Sequence, residues 1–375
     1  MRTTYTVRIV WQFAVLVSAM VTLGSSAFAQ DSLHQYNLTP LVSNQAGVAP
    51  NLDSHLVNAW GMARSSTSPW WVSDNGTGLS TLYNGNTGVP VALVVTVPSG
   101  NPAVNPVGTP TGVIFNGSTT DFLLAPGMQA NFLFVTLDGT VSGWNKGVQP
   151  TEAVIEVNEK GRSEFTGATI AQDNESGTSK TYLYVADFRR ARVQVFDTNF
   201  QKVRFDGDRF DDDCLRDGFA PFNIQNIGGN LYVTFAKQND ERNFDVAGPG
   251  LGYVDVFSPS GRLIQRLEHV PGLNAPWGLT LASSDFGLFS HDLLVGQFGS
   301  GEILAFDPVT GAYEGQLLDT TNQPIVIDGL WALGFGNGSS AGPATTLFFT
   351  AGPDQGANGL FGTLTAVQNI QGNDQ

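Results

Sequence analysis

Carboxylates, amides and guanidines recur in this chain at places where one fold could gather them around a single ligand. Asn58, Glu164, Asn274 and Asp328 each stand just ahead of a short apolar segment that is repeated along the sequence. Asp74, Asn75, Asp187, Arg189, Arg190, Gln297 and Asp354 each follow the next such segment. Converging Asp, Asn and Gln oxygens suit Ca²⁺, which takes about six to eight hard ligands, and not a soft metal. Asn58, Asn274 and Asp328 are therefore the candidate ligands for one Ca²⁺. Asp74, Asn75, Asp187, Arg189 and Gln297 are the candidate contacts for an organic ligand. The same residue types also end strands by bonding to their own turns, so that reading stands beside the first.

Other motifs carry less chemistry. Asp206-Gly207-Asp208 and Asp211-Asp212-Asp213 do not follow the alternation of a calcium-binding helix-loop-helix, and a charge run of this kind reads as a solvated loop. Arg189-Arg190-Ala191-Arg192 is a basic island in an acidic chain, able to hold an anionic group or to pair with nearby acids. The four histidines are His34, His55, His269 and His291, and the sequence has no Gly-x-Ser-x-Gly elbow. A Ser-His-Asp arrangement needs no closeness in sequence. His55 and His269, each ahead of a repeated segment, are the candidate general bases. Cys214 is the single cysteine, so an intramolecular disulfide and a cysteine-based zinc site are both excluded.

What must position these residues is a repeat. Ala59-Trp60-Gly61-Met62 leads to Trp70–Asn75 and then Leu79–Tyr83. Equivalent triplets start at Pro110, Phe165, Pro221, Pro276 and Leu330, and successive copies are 51 to 56 residues apart. Within each copy, aromatic and β-branched runs alternate with Gly, Asn and Asp clusters, which reads as strands and turns. Each copy has room for a fourth strand, such as Val91–Val97. Six units of four strands make an all-β, six-bladed β-propeller. The last copy lacks chain for its fourth strand, and Tyr36–Val42 lies unpaired ahead of the first, so the N-terminal strand is predicted to complete the last blade. Trp60, Trp277 and Trp331 occupy equivalent positions and are read as packing residues, with stacking on a ligand as the other use of such rings.

The 375 residues include 44 Gly without a three-residue period, which excludes collagen, while few charges and many aromatics exclude a disordered acidic chain. Arg2 and Arg8, an apolar run from Ile9 to Leu23 and Ala27-Phe28-Ala29 form a secretory leader cut after Ala29. The run is short for a bilayer span of about 20 residues. The predicted domains are a signal peptide (1–29), the propeller (30–366) and a polar tail (367–375), in a secreted or periplasmic protein without a membrane span. A formal charge of −15 opposes nucleic acid as a partner.

Pro276-Trp277-Gly278-Leu279 with Ile303–Asp307 resembles an NHL-type repeat. Leu56–Gly61, Trp71–Gly78, Ala220–Asn226 and Ile327–Leu333 resemble a family of secreted bacterial six-bladed propellers of unassigned function. Asp328-Gly329 is similar to an element of the calcium-dependent gluconolactonase-type propellers, whose Glu-Gly-Pro opening is replaced here by Asn58 and Trp60. The resemblance implies a channel site for one divalent ion. Two functions follow as expectations. One is a binding module whose channel-mouth loops meet a small molecule, glycan or extracellular protein. The other is a Ca²⁺-dependent hydrolase, lactonase-like, with a lyase acting on a cyclic ester not separated from it.

Overall fold

A computed structural model describes residues 35–367 apart from Ser176, Asp206 and Asp208. The predicted leader and nearly all of the predicted tail lie outside the described residues.

Each sequence repeat forms one sheet, ordered from the axis outward and antiparallel, except that Asn51–Leu52 adds a short parallel fifth strand at the outer edge of the last. Blade I is Ala59–Ala63, Trp70–Asp74, Leu79–Tyr83 and Val95–Thr96. Blade II is Pro110–Phe115, Phe132–Thr136, Thr140–Trp144 and Val154–Asn158. Blade III is Phe165–Asp173, Lys180–Asp187, Arg192–Asp197 and Lys202–Val203. Blade IV is Phe219–Ile227, Asn230–Lys237, Gly252–Phe257 and Leu263–Arg266. Blade V is Pro276–Leu281, Leu293–Gln297, Ile303–Phe306 and Tyr313–Gln316. Blade VI is Leu330–Phe335, Leu347–Ala351, Leu360–Ala366 and Tyr36–Ser43.

The ring closes as the sequence predicts. Tyr36–Ser43 pairs antiparallel with Leu360–Ala366, from Tyr36↔Ala366 to Ser43↔Leu360. The inner strand of blade VI also touches that of blade I, as every inner strand touches its two neighbours. Packing explains the shape. Each of the six gaps between neighbouring blades holds its own apolar cluster. A seventh cluster lies on the axis. Val91–Val97 departs from expectation, since only Val95–Thr96 is paired. The Val91 N–H is given to Leu82 O just after Pro90, which has no N–H to offer, and the chain returns to the sheet only at Val95.

All six inner strands carry a register shift near their second or third residue. Such a bulge re-aims a side chain and frees a carbonyl from the ladder. Three of those carbonyls are taken by neighbouring side chains: Trp60 O by Thr350 Oγ1, Thr166 O by Trp277 Nε1 at 2.9 Å and Trp277 O by Asn223 Nδ2 at 2.8 Å. Glycine at this level permits the close approach of adjacent inner strands. A Cβ on Gly278 would lie 2.6 Å from Trp331 O, and one on Gly61 would strike Thr111 O.

Candidate ligand site

The upper face is the one where loops lead into the inner strands, and the loops joining second to third strands share it. At this end the bulges turn Trp60, Phe222, Trp277 and Trp331 toward the axis, where all four are buried in one cluster with Phe188 and, partly buried, Phe298. Trp331 is the centre. It stacks on Trp60 at 3.6 Å and 15° and on Phe298 at 4.0 Å and 20°, with the Trp277 ring edge-on at 5.9 Å. The rings fill the top of the channel, as the packing reading of the tryptophans predicts.

Residues proposed from the sequence form local pairs around this plug. Asn58 has φ 48°, a left-handed conformation that Asn tolerates well. Its Oδ1 accepts from Trp331 Nε1 at 3.0 Å and its Nδ2 donates to Asn75 Oδ1 at 3.2 Å. Asn274 Oδ1 accepts from Gly248 N, and Asn274 N donates to Gln297 Oε1 at 2.9 Å. Asp328 is exposed, with its Oδ2 accepting from Asp354 N at 2.8 Å, and Asp354 Oδ2 accepts from Asn358. Glu164 pairs with Arg189, while Arg190 is exposed.

The last residue of each second strand explains the other candidates. Asp187 is fully buried; Oδ2 accepts from Ser163 Oγ at 2.9 Å and from Gln194 Nε2 at 2.6 Å, and Oδ1 from Glu164 N. Gln297 makes the equivalent bond to Asn274, and Lys237 reaches Asp217 O at 2.7 Å. These side chains latch the loop from the preceding blade onto the sheet. Asp74 holds the same position in blade I, but Val57 stands where blade III has Ser163, and neither carboxyl oxygen has a hydrogen-bond partner. Thr81 comes near it, yet gives its hydroxyl to Tyr83.

The residues do not fit a resident Ca²⁺. Oδ1 of both Asn58 and Asn274 is already committed to a protein donor. Among the described residues no group of three or more His, Cys, Asp or Glu could hold a metal ion. His55 pairs with Asp53 at 2.8 Å, and His269 stacks on Tyr253 while its Nε2 lies 3.0 Å from Gly250 O.

Buried carboxyls on this scaffold set a pH response. Burial raises Asp74 well above its ordinary value, with Asp53 adding to the rise; burial raises Asp187 despite its donors. Burial also raises Asp255 from 3.8 to about 7, against the pull of Arg266. A pKa higher in the folded state favours folding most where the group is protonated. That stability is complete below the unfolded value of 3.8 and is lost as pH rises toward about 7. Asp307 and Asp319, held low by turn donors, act in the opposite sense but are partly exposed and screened. The melting temperature is expected to be higher near pH 5 than at pH 8, and Asp74→Asn to raise it more at pH 8 than near pH 5. A melt that is flat or rises over this range would count against the assignment.

The open end of the channel is the lower one. Here the outgoing ends of all six inner strands enclose a blind funnel of about 510 Å³, lined by Met62, Val113, Ala168, Leu279 and Leu333 deeper down and by Arg64, Ile170 and Thr280 among others. It narrows to about 50 Å³ against Trp277. Arg64 is its one charged residue. Nε donates to Phe335 O at 2.6 Å and Nη2 to Gly336 O at 3.1 Å, the guanidinium lies 5.5 Å from the Trp70 ring centre, and no carboxylate among the described residues pairs with it. Neither the Thr280 side chain nor that of Gln225, exposed at the narrowing, makes a hydrogen bond with the described residues. Sequence reasoning missed this end. Four aromatics at one aligned position would have shown which end is filled, and hence which is open.

A closed ring of six blades, each with at least four strands, filled at one axial end and hollow at the other, is a six-bladed β-propeller. Within that class the chain belongs to a family with uncharacterized proteins of Acanthamoeba polyphaga mimivirus. One is 32% identical over 352 residues, covering 89% of this chain and 81% of the viral one. A second is 32% identical over 342 residues, covering 88% and 86%. These relatives are viral, whereas the sequence resemblance had pointed to bacterial propellers. No established family profile matches the chain. Similar solved structures are the soluble aldose sugar dehydrogenase of Escherichia coli and a streptogramin B lyase. The dehydrogenase has TM-score 0.53 and 12% identity, over 89% of this chain and 100% of that one; the lyase has TM-score 0.51 and 12% identity, over 90% and 99%. At that identity the likeness concerns the fold. No helix among the described residues is long and apolar enough to cross a membrane.

Proposed function

We propose that the protein is a secreted, non-catalytic binding module whose ligand, a small apolar molecule bearing one anionic group, occupies the axial funnel. The observation that carries this is the composition of the cavity. Apolar side chains, with Thr169, Gln225, Asn226 and Thr280 among them, line a space of the size that holds small molecules, and the single charge in the described lining is a guanidinium without a carboxylate partner among the described residues. Among the described residues that line the funnel there is no Asp, Glu, His, Lys or Cys, so the hydroxyls of Thr169 and Thr280 have no general base beside them in that lining. His55 and His269 precede inner strands and so belong to the other end of the channel. A hydrolase or lyase reading, with Asn58, Asn274 and Asp328 as metal ligands, would place its chemistry at the plugged end.

Anilinonaphthalene sulfonate, an apolar double ring system with one sulfonate, is a suitable probe. The native protein is expected to bind about one equivalent saturably, and Thr280→Trp to weaken binding about tenfold or more with the melt unchanged. Arg64→Met is expected to weaken it less and to abolish the preference over an uncharged analogue. Treatment with EDTA is expected to change neither binding nor melting. Absence of a saturable site, or binding indifferent to Thr280→Trp, would remove the funnel as the ligand site; turnover of a lactone lost on chelation would establish the hydrolase instead.

A further inference from the structure

The six inner strands line the funnel in aligned tiers, and the tiers are not uniform around the axis. Counted from the start of each repeat, at Ala59, Pro110 and their equivalents, the fifth residues are Ala63, Ile114, Thr169, Gln225, Thr280 and Gly334, and all six line the cavity. Blades III, IV and V thus supply a hydroxyl, an amide and a hydroxyl at one level, while blades VI, I and II supply no polar side chain there. Arg64, one residue beyond this tier, belongs to blade I. In a closed ring of six, blade IV stands opposite blade I, so the guanidinium and the Gln225 amide belong to opposite walls.

Both walls keep hydrogen-bonding capacity in hand. The bonds from Arg64 Nε to Phe335 O and from Nη2 to Gly336 O leave both protons of Nη1 and one of Nη2. The Nη1/Nη2 end of the guanidinium is therefore an open fork, matched to the two oxygens of a carboxylate. Burial lowers this guanidinium from its ordinary value, and no carboxylate among the described residues offsets the lost hydration. On the facing wall, Thr169 Oγ1 accepts from Asn226 N at 3.1 Å and keeps its own proton to give. The side chains of Gln225 and Thr280 have no hydrogen-bond partner among the described residues, and Gln225 also lines the narrowing. Asn226 is outside this set, since its amide already serves Ile170 O at 2.9 Å and Gly229 N at 3.0 Å.

We propose that the funnel takes an apolar monocarboxylic acid with a neutral hydrogen-bonding group, a hydroxyl or a carbonyl, at the far end of its skeleton. This rests on the funnel being the ligand site and adds the class and orientation of the ligand. The carboxylate seats on the open fork of Arg64, the skeleton crosses the apolar tier of Met62, Val113, Leu279 and Leu333, and the far group bonds to Gln225 and the threonine hydroxyls. A far end that is a bare methyl would displace water from that amide and those hydroxyls and leave them unpaired. A second carboxylate there would lose its hydration without a counter-ion, because the described lining from blades III to V holds no Lys or Arg.

The mature protein is loaded with the sulfonate dye, which is then displaced by ω-hydroxyalkanoates of about 8 to 14 carbons, a range suited to a small-molecule cavity. The alkanoate, the methyl ester of the hydroxy acid and the α,ω-dicarboxylate of each length are run beside it. At the best length the hydroxy acid is expected to bind about fivefold tighter than the alkanoate, as one neutral hydrogen bond allows. It should bind roughly tenfold tighter than its ester, as a charge-assisted pair allows, and tighter than the dicarboxylate. Gln225→Leu with Thr280→Val is expected to bring hydroxy acid and alkanoate to equal affinity with the melt unchanged. Arg64→Met is expected to bring acid and ester to equal affinity while the preference for the hydroxyl remains. Dye that binds saturably but is displaced equally by hydroxy acid and alkanoate at every length, or by neither, overturns this assignment and leaves the funnel as the site. So does a hydroxyl preference that survives the double substitution. Absence of saturable dye binding removes the funnel and the assignment together.

Discussion

Removal of residues 30–45 is expected to abolish cooperative unfolding. The segment is the fourth strand of blade VI, and its loss undoes three things together. The ladder from Tyr36↔Ala366 to Ser43↔Leu360 disappears, leaving Leu360–Ala366 as an open edge able to pair with other chains. The cluster between blades V and VI loses Tyr36, which is 1% exposed, packs on Phe286 with ring centres 4.7 Å apart and donates its hydroxyl to Phe286 O at 2.9 Å. The cluster between blades VI and I loses Val42. Closure here is wholly non-covalent, because Cys214 is the only cysteine. Calorimetry of the truncated mature chain should show a broad or absent transition, and a peptide spanning the deleted residues should restore it. A sharp transition within about 3 °C of the intact protein would show that the ring does not depend on this strand.

That strand was legible because a repeat makes omissions visible. The sixth copy runs out of chain at its third strand while a lone strand precedes the first. Blade count and the packing role of the tryptophans were legible for the same reason, each being a statement about aligned positions. The site was much less so. Asp187, Gln297, Asn58 and Asn274 carry the atoms that a calcium site or a ligand contact needs, but sequence does not record that a latch already uses them. Some of their partners are backbone groups of other loops, such as Glu164 N and Gly248 N, which have no signature in residue type. The funnel was hidden for a related reason. Its lining residues are the ordinary apolar ends of inner strands, and Arg64 in isolation reads as a loop arginine. Only the bulges, which aim four aromatics at one end of the axis, decide which mouth is open.

Trp331→Ala should be the most costly single substitution on the axis. The ring lies between Trp60 and Phe298, touches the edge of Trp277, and its Nε1 is the donor to Asn58 Oδ1. Truncation leaves a cavity among rings that cannot collapse, since Trp277 is tied across the axis to Thr166 O. It also strips Asn58, in its left-handed conformation, of one bond. Loss of a buried aromatic costs about 3–5 kcal/mol. With an unfolding entropy of roughly 2.1 cal/mol/K per residue, this corresponds to a fall of about 4–7 °C in a chain of this size. Trp331→Phe separates the two contributions: it keeps most of the stacking and loses only the donor, and should cost about 1 kcal/mol. The same truncation tests the channel. If the rings are what make the funnel blind, Trp331→Ala joins its floor to the upper face, and an apolar probe longer than the native cavity should then bind where it did not before. A melt lowered as expected without that gain would mean that Trp60 and Trp277 seal the axis without it. An unchanged melt would show that the ring at 331 is not the keystone of the plug.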